Sequence, residues 1–236
     1  MSPNEQPSLT EHAVEAVPFG ERSDAILRRG HHALFGVSTG NSYFSRQRLA
    51  GAISWATARF DLVDVIHADL YLDRMCEAFG YERADARRSA AKQLRGVRRR
   101  IEGALEDAGS AAKKVRARPL SDFLEDSAYQ EVHARARAAL RTDVELRAVR
   151  DEMAYHFLSK KLGPGGFPTA MQVRVAQDYV EAELPFFVDS PHILGVASSV
   201  HCYHSVMALG RLLFSDREVG LRPADNQGYA VVACQD

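Results

Sequence analysis

The stretch from His31 to Arg46, HHALFGVSTGNSYFSR, constrains the fold more than any other part of the 236-residue chain. An apolar run, Ala33 to Phe35, enters a Gly-Val-Ser-Thr-Gly-Asn turn, and from Tyr43 onward the composition suits a helix. Strand, sharp loop and helix in that order form the opening unit of an alternating α/β chain. Open α/β sheets bind their ligands in the crevice beyond the carboxyl ends of the strands, so Ser38 stands where a nucleophile would be useful. Gly36 and Gly40 let the backbone turn tightly and approach a substrate, and Asn41 adds an amide that donates and accepts. The same loop admits a plainer reading, in which Ser38 caps the following helix by accepting from its first free N–H groups. Local sequence leaves both open.

The pattern repeats downstream. Leu49, Ile53, Ala56 and Phe60 recur at helical spacing within Ser45 to Arg59, and Leu62 to Asp69 reads as a second strand with Asp64 facing water and Asp69 facing the crevice. Helices are expected over Leu70 to Phe79 and Arg83 to Asp107, a strand over Lys113 to Leu120, and helical structure from Tyr129 to Lys161. Another helix starts at Pro168 and Thr169, with Pro185 ending its regular turns, and strands follow over Gly195 to Tyr203 and Tyr229 to Cys234. The alternation implies a mostly parallel sheet with helices on both faces. Residues 1–22 lack periodicity and carry Pro3, Pro7 and Pro18, so a mobile tail is expected ahead of a single catalytic domain over 23–236.

The net charge of −1 hides a strong asymmetry. From Arg83 to Arg118 there are twelve Lys or Arg and four Asp or Glu, a local balance of +8 that leaves −9 for the rest of the chain. On a helix at about 100° per residue, Leu94, Val97, Ile101 and Leu105 form a buried stripe. Arg88, Lys92, Arg95 and Arg99 form a basic stripe pointing outward, with Arg98 beside Arg99 in sequence. An ordinary solvated face alternates signs one turn apart, whereas Asp85 is the only acid between Arg83 and Ile101. That favours an anionic partner. A polynucleotide fits better than a membrane, because no apolar residues accompany the stripe.

No stretch approaches the roughly eighteen apolar residues of a membrane span, and the amino terminus is polar and acidic rather than signal-like. Cys76, Cys202 and Cys234 are widely spaced with no C-x-x-C pair, which suits a reducing cytoplasm. No H-E-x-x-H is present, and His201-Cys202-Tyr203-His204 reads as a strand end whose alternate residues face opposite ways, so no metal is expected.

In the helix after Pro168, Val173, Ala176, Val180, Leu184 and Phe187 form a buried stripe with Tyr179 and Glu183 one turn apart at its edge. A carboxylate there is partly desolvated and needs a cation or donors, yet no Lys or Arg lies three or four residues away. The partner comes either from elsewhere in the fold or from a substrate.

Three separated motifs then point to one family. They are Gly36-x-Ser38-x-x-Asn41-Ser42-Tyr43-Phe44-Ser45, Tyr179-x-x-x-Glu183-x-Pro185 and Tyr203-His204, in that order. From about Arg29 to Val232 the chain resembles the cyclodipeptide synthases, which take amino acids from charged tRNAs and join two of them into a cyclic dipeptide. The resemblance implies a Rossmann-like fold similar to the catalytic domain of class I tyrosyl- and tryptophanyl-tRNA synthetases. It implies two aminoacyl-tRNAs as partners, a covalent aminoacyl group on Ser38, Tyr179 and Glu183 holding the α-ammonium, and Tyr203 as a relay or hydrogen-bond donor. Asn41, Tyr203 and His204 match the subfamily with Asn, Tyr and His at these places. Leu34, Ile66 and Phe186 are implied to line the pocket for the first aminoacyl side chain, all three apolar. His201 and Lys160 are expected to make the second pocket polar. The ester supplies the driving force, so no cofactor is expected, in keeping with the absence of H-I-G-H and K-M-S-K-S elements. A cytoplasmic monomer is the expected state.

Two other classes share parts of the pattern. Gly36-Val37-Ser38-Thr39-Gly40 fits the G-x-S-x-G of an α/β-hydrolase, with Asp189 and His204 available as triad partners. Only 37 residues precede Ser38, too few for the strands that come before such an elbow. A non-catalytic RNA-binding module would explain the basic stripe and leave Ser38, Tyr179 and Glu183 without a purpose.

Overall fold

The computed structural model describes residues 14–217 and 219–234. In chain order the elements are β1 (Val14–Pro18), α1 (Gly20–Arg29), β2 (His32–Val37), α2 (Arg46–Thr57), β3 (Leu62–His67), α3 (Leu72–Ala78), α4 (Arg83–Ala108) and β4 (Val115–Pro119). They continue with α5 (Ser127–Thr142), α6 (Val144–Leu162), α7 (Ala170–Leu194), β5 (Ser199–Tyr203), α8 (Ala208–Leu213) and β6 (Gln227–Cys234). Six strands form one sheet in the order β1-β6-β5-β2-β3-β4. Every neighbouring pair is parallel except β1 against β6.

The order decides where a ligand can sit. From β2 the chain steps outward through β3 to β4, then returns to build β5 and β6 on the other side of β2. That reversal opens a crevice at the carboxyl ends of β2 and β5. Ser38 follows the last residue of β2 and Tyr203 is the last of β5.

Strand alternation produces two cores. Ala33, Phe35, Val37, Val63 and Val65 face α2 and α4, where they pack with Leu49, Ile53, Trp55, Phe60, Val97 and Ile101. Leu34 and Ile66 face the other way, packing with Leu120, Phe123, Tyr129, Leu184, Phe186 and Phe187. Side chains of this size stabilise the fold by about 1.5–3 kcal/mol each when fully buried.

Several elements differ from the sequence expectation. The expected tail of residues 1–22 is ordered from Val14, where β1 pairs with β6 from Val14↔Cys234 to Pro18↔Ala230; residues 1–13 lie outside those described. Five residues of V-E-A-V-P carry too little alternation to announce a strand by themselves. The helical region from Tyr129 to Lys161, which the sequence allows as one long helix or two, is two as allowed: it divides at Asp143, whose side chain accepts from Leu146 N and starts α6. Pro185 does not end α7. Regular geometry persists until Asp189, at φ −156° and ψ 62°, whose carboxylate accepts from His192 N at 3.2 Å and so caps the closing turn.

Asp64 is the largest correction. It is fully buried rather than facing water. It lies on the same sheet face as Ile66, where Arg116 and Arg118 of β4 converge on it, Arg116 through Nε at 3.1 Å and Arg118 through Nη2 at 3.1 Å. His32 Nε2 lies 2.9 Å from Asp64 Oδ2, and His32 Nδ1 is 2.8 Å from Ser199 Oγ. A polar row thus crosses β5, β2, β3 and β4 below the crevice. Asp69 is likewise no free crevice group, because it accepts from Ser121 N at 2.9 Å and Ser121 Oγ at 2.6 Å, tying the end of β3 to the turn after β4.

Candidate active site

Ser45, not Ser38, caps α2. Its side chain accepts from Arg48 N at 3.2 Å, which removes the plain structural reading of Ser38. The Ser38 hydroxyl lies 3.2 Å from the Tyr203 hydroxyl instead, joining the ends of β2 and β5. Gly40 adopts φ +81°, a left-handed backbone that favours glycine, and lets the loop turn back after Ser38. Thr39 Oγ1 donates to the Ala68 carbonyl and pins the loop to the end of β3.

Asn41 braces the other side of this loop. Its Oδ1 accepts from Tyr43 N at 3.0 Å, and its Nδ2 lies 3.3 Å from His204 Nε2. His204 stacks on Phe44 with centroids 5.4 Å apart and meets Tyr43 edge-on at 4.0 Å. Burial, with Arg48 and Lys160 nearby, lowers its pKa to about 4, so it stays neutral near pH 7 and serves position rather than charge.

Tyr179 and Glu183 come from one face of α7, and the Tyr179 hydroxyl donates to Glu183 Oε1 at 2.8 Å. Burial, outweighing the lowering effect of that bond, raises the Glu183 carboxyl to about pKa 7. Two residues earlier Glu181 shows the contrast, since Arg150 donates to it at 2.7 Å. Among the described residues Glu183 has the Tyr179 hydroxyl and no cation. Burial also raises the Tyr179 and Tyr203 phenols, Tyr203 against the lowering effect of its hydrogen bond to Ser38. Both phenols therefore remain protonated near neutral pH, as donors and relays rather than free bases.

Two cavities meet at this pair. One, with about 400 Å³ of free space including open solvent, is lined by Leu34, Gly36, Ile66, Leu120, Phe186 and Glu183, with His201 in its wall. The structure thus brings the three apolar residues expected for the first pocket together. It also moves His201 into that pocket, away from the second one, because alternation along β5 puts His201 on the face of Leu34, its register partner in β2. The other cavity, about 420 Å³ on the same measure, is lined by Thr39, Tyr71, Gln93, Phe157, Lys161 and Tyr179. Lys161 takes a place here that was expected of Lys160.

Sequence reasoning missed Leu120, Tyr71, Phe157 and Lys161, which belong to no motif. Tyr71 alone offers a local signal in the structure. It is the only non-glycine among the described residues with positive φ, at 62°, a strained conformation that gathers at functional sites.

The basic stripe sits where the helical wheel predicts. Arg88, Lys92, Arg95, Arg98 and Arg99 are all exposed on α4, while Val97 and Ile101 are buried. Gln93 of the same helix reaches the second cavity, so the basic face and the Tyr179 wall are linked by one element. Asp189 and His204, the alternative triad partners, are engaged elsewhere: Asp189 with Arg135 at 3.5 Å and the α7 backbone, His204 with Asn41 and Ser205. Among the described residues no group of three or more His, Cys, Asp or Glu could hold a metal ion, and no helix is long and apolar enough to cross a membrane.

Comparison with known proteins agrees with this geometry. The family model described as cyclodipeptide synthase matches residues 14–234. The chain is 43% identical over 215 residues to the cyclo(L-tyrosyl-L-tyrosyl) synthase of Mycobacterium tuberculosis, covering 91% of this chain and 74% of that protein. It is 37% identical over 226 residues to the cyclo(L-leucyl-L-phenylalanyl) synthase of Streptomyces noursei, covering 96% and 94%. The crystal structure of a cyclo(L-leucyl-L-phenylalanyl) synthase superposes with a TM-score of 0.89 at 37% identity, over 95% of this chain and 100% of the other. A Mycobacterium tuberculosis structure, reported as showing that these enzymes are related to type I tRNA synthetases, superposes with a TM-score of 0.82 at 38% identity over 98% and 99%. Motifs, fold and likeness converge: the chain belongs to the cyclodipeptide synthase family of tRNA-dependent aminoacyltransferases.

Proposed function

We propose that Ser38 carries the first aminoacyl group covalently and that Tyr179 and Glu183 hold its α-ammonium. The observation that supports this reading best is Glu183, a carboxylate at a cavity wall with a phenol for a partner and no cation. The α-ammonium of an aminoacyl ester supplies the missing charge. Ser38 attacks the ester carbon of a first aminoacyl-tRNA, the ribose hydroxyl leaves with a proton, and the aminoacyl group stays on Oγ. The amine of the Ser38-bound residue then attacks the ester carbon of a second aminoacyl-tRNA, whose ribose hydroxyl leaves with a proton, and this forms the dipeptidyl enzyme. Its free amine finally attacks the Ser38 ester, closing the six-membered ring and regenerating the serine.

Exchange of ester for ester is nearly neutral, and ester to amide is downhill, so the protein's work is positioning and proton movement. Glu183 at about pKa 7 lies close to the ~8 of an α-amino group, so a proton passes between them at little cost. Tyr203 orients the Ser38 hydroxyl, Asn41 and His204 fix the loop, and Leu34, Ile66 and Phe186 take the first side chain. Arg88, Lys92, Arg95, Arg98 and Arg99 dock the tRNA, whose acceptor end reaches the second cavity past Gln93. This chemistry belongs in the cytoplasm, where charged tRNAs are found.

The decisive experiment uses charged tRNAs with the wild type and Ser38→Ala. The wild type should gain one aminoacyl mass by intact-protein mass spectrometry and release a cyclic dipeptide. Ser38→Ala should do neither while keeping its melting temperature. A labelled aminoacyl adduct on the variant would remove Ser38 from this role.

A further inference from the structure

The first pocket contains one polar side chain that no motif places there. His201 is buried, and its ring stacks on Phe187 with centroids 4.1 Å apart. Its Nδ1 lies 3.3 Å from the carbonyl oxygen of Phe186. A carbonyl can only accept, so Nδ1 carries the proton, and a neutral ring then presents Nε2 as an acceptor. Burial lowers the pKa of this ring to about 4, so the acceptor persists at physiological pH.

Nε2 points at the catalytic strand. A Cβ placed on Gly36 would lie 3.5 Å from it, and among the described residues none hydrogen-bonds it. The remaining wall, made by Leu34, Ile66, Leu120, Phe186 and Phe187, is apolar, with Glu183 at the rim of the site chemistry. Desolvating an acceptor without a partner is unfavourable. A bare alkyl or phenyl group in this pocket would do that.

We infer that His201 selects the first aminoacyl group by accepting a hydrogen bond from an aromatic side chain that carries a ring donor. This rests on the reading of the pocket as the first aminoacyl site. Two amino acids combine an apolar ring with one such donor, the phenol O–H of tyrosine and the indole N–H of tryptophan. Serine and threonine have a donor but no apolar body to fill the wall. Lysine and arginine bring a charge that this wall leaves unpaired.

The test charges one tRNA body chemically with tyrosine, tryptophan, phenylalanine, leucine or O-methyltyrosine, and measures the rate of adduct formation on Ser38 in the wild type and His201→Leu. Tyrosine or tryptophan should acylate the wild type about tenfold to a hundredfold faster than phenylalanine, the range set by one unpaired buried acceptor. O-methyltyrosine, which keeps the ring oxygen and loses the donor, should fall with phenylalanine. His201→Leu should bring the ratios close to unity. If that variant does not fold, the wild-type series decides alone. Equal wild-type rates for tyrosine, tryptophan and phenylalanine, or an undiminished gap in His201→Leu, would overturn the role of His201. Absence of an adduct from all five would overturn the Ser38 reading itself, and this inference with it.

Discussion

Two polar clusters lie at opposite ends of β2, one around His32 at its start and one around Ser38 just past its end, and they answer different demands. The lower row holds a serine, a histidine and an aspartate within bonding distance: Ser199, His32 and Asp64. By residue type it looks more like a hydrolytic triad than anything near Ser38. Yet all three are buried, and Asp64 also receives both arginines of β4. Burial alone would raise the Asp64 carboxyl, but His32 and Arg116 hold it below the usual carboxylate range. The Ser199 hydroxyl, both His32 ring nitrogens and both Asp64 oxygens are spent on partners within the row. The upper cluster has the opposite character, with Glu183 pushed up to about pKa 7 and facing a cavity. A reactive-looking composition does not make a site; an unmet charge beside open space does.

The contrast can be broken from either side. Asp64→Ala leaves His32 buried without its acceptor and two arginines without their counter-ion, and should lower stability by about 3–5 kcal/mol. Denaturant titration measures this, and the fraction still folded should acylate Ser38. A variant that is stable but inactive would move catalysis into the lower row.

Glu183→Gln should act the other way. Loss of the counter-charge to the α-ammonium should slow Ser38 acylation or the following amide step by about 2–4 kcal/mol in activation free energy, as pre-steady-state kinetics would show. Its effect on stability follows from the direction of the shift. Burial raises the folded carboxyl to about 7 against the ordinary 4.5 of a glutamate in the unfolded chain, so between those values the folded state holds a proton that the unfolded state has lost. Wild-type stability therefore falls as pH rises through that window. Glu183→Gln should gain relative to wild type between pH 5 and pH 8, by on the order of 2–3 kcal/mol. A constant difference across that range would mean that the Glu183 carboxyl is not raised.

The smallest expected effect sharpens the outer edge of the upper cluster. Replacing Arg88, Lys92, Arg95 and Arg99 with alanine should raise the KM for aminoacyl-tRNA and flatten its salt dependence, since phosphate contacts release counterions. Melting temperature should change little, because all four side chains are exposed. An unaltered salt slope would place the tRNA on another face.

Much of this was legible in the chain. Period-two and helical patterns located most of the regular elements, and the wheel of α4 separated its buried stripe from its basic one. The edge position of Glu183 on α7 already posed the question of its missing cation. The burial of Asp64 is not legible locally, because a lone acid in an apolar strand ordinarily marks the wet face. The arginines that make its burial possible belong to β4, more than fifty residues away.

What the sequence determined by itself was whatever depends on neighbours a few residues apart: strand, loop and helix around Ser38, the capping of α7 at Thr169, and the stripe of α4. What the tertiary structure decided depends on strand order and register. Only the return of the chain to β5 beside β2 brings Tyr203 to Ser38 and turns His201 into the pocket of Leu34. The reason is physical. Local propensity arises from backbone sterics and nearest side chains, while desolvation and unmet hydrogen bonds exist only once distant strands have closed the water out.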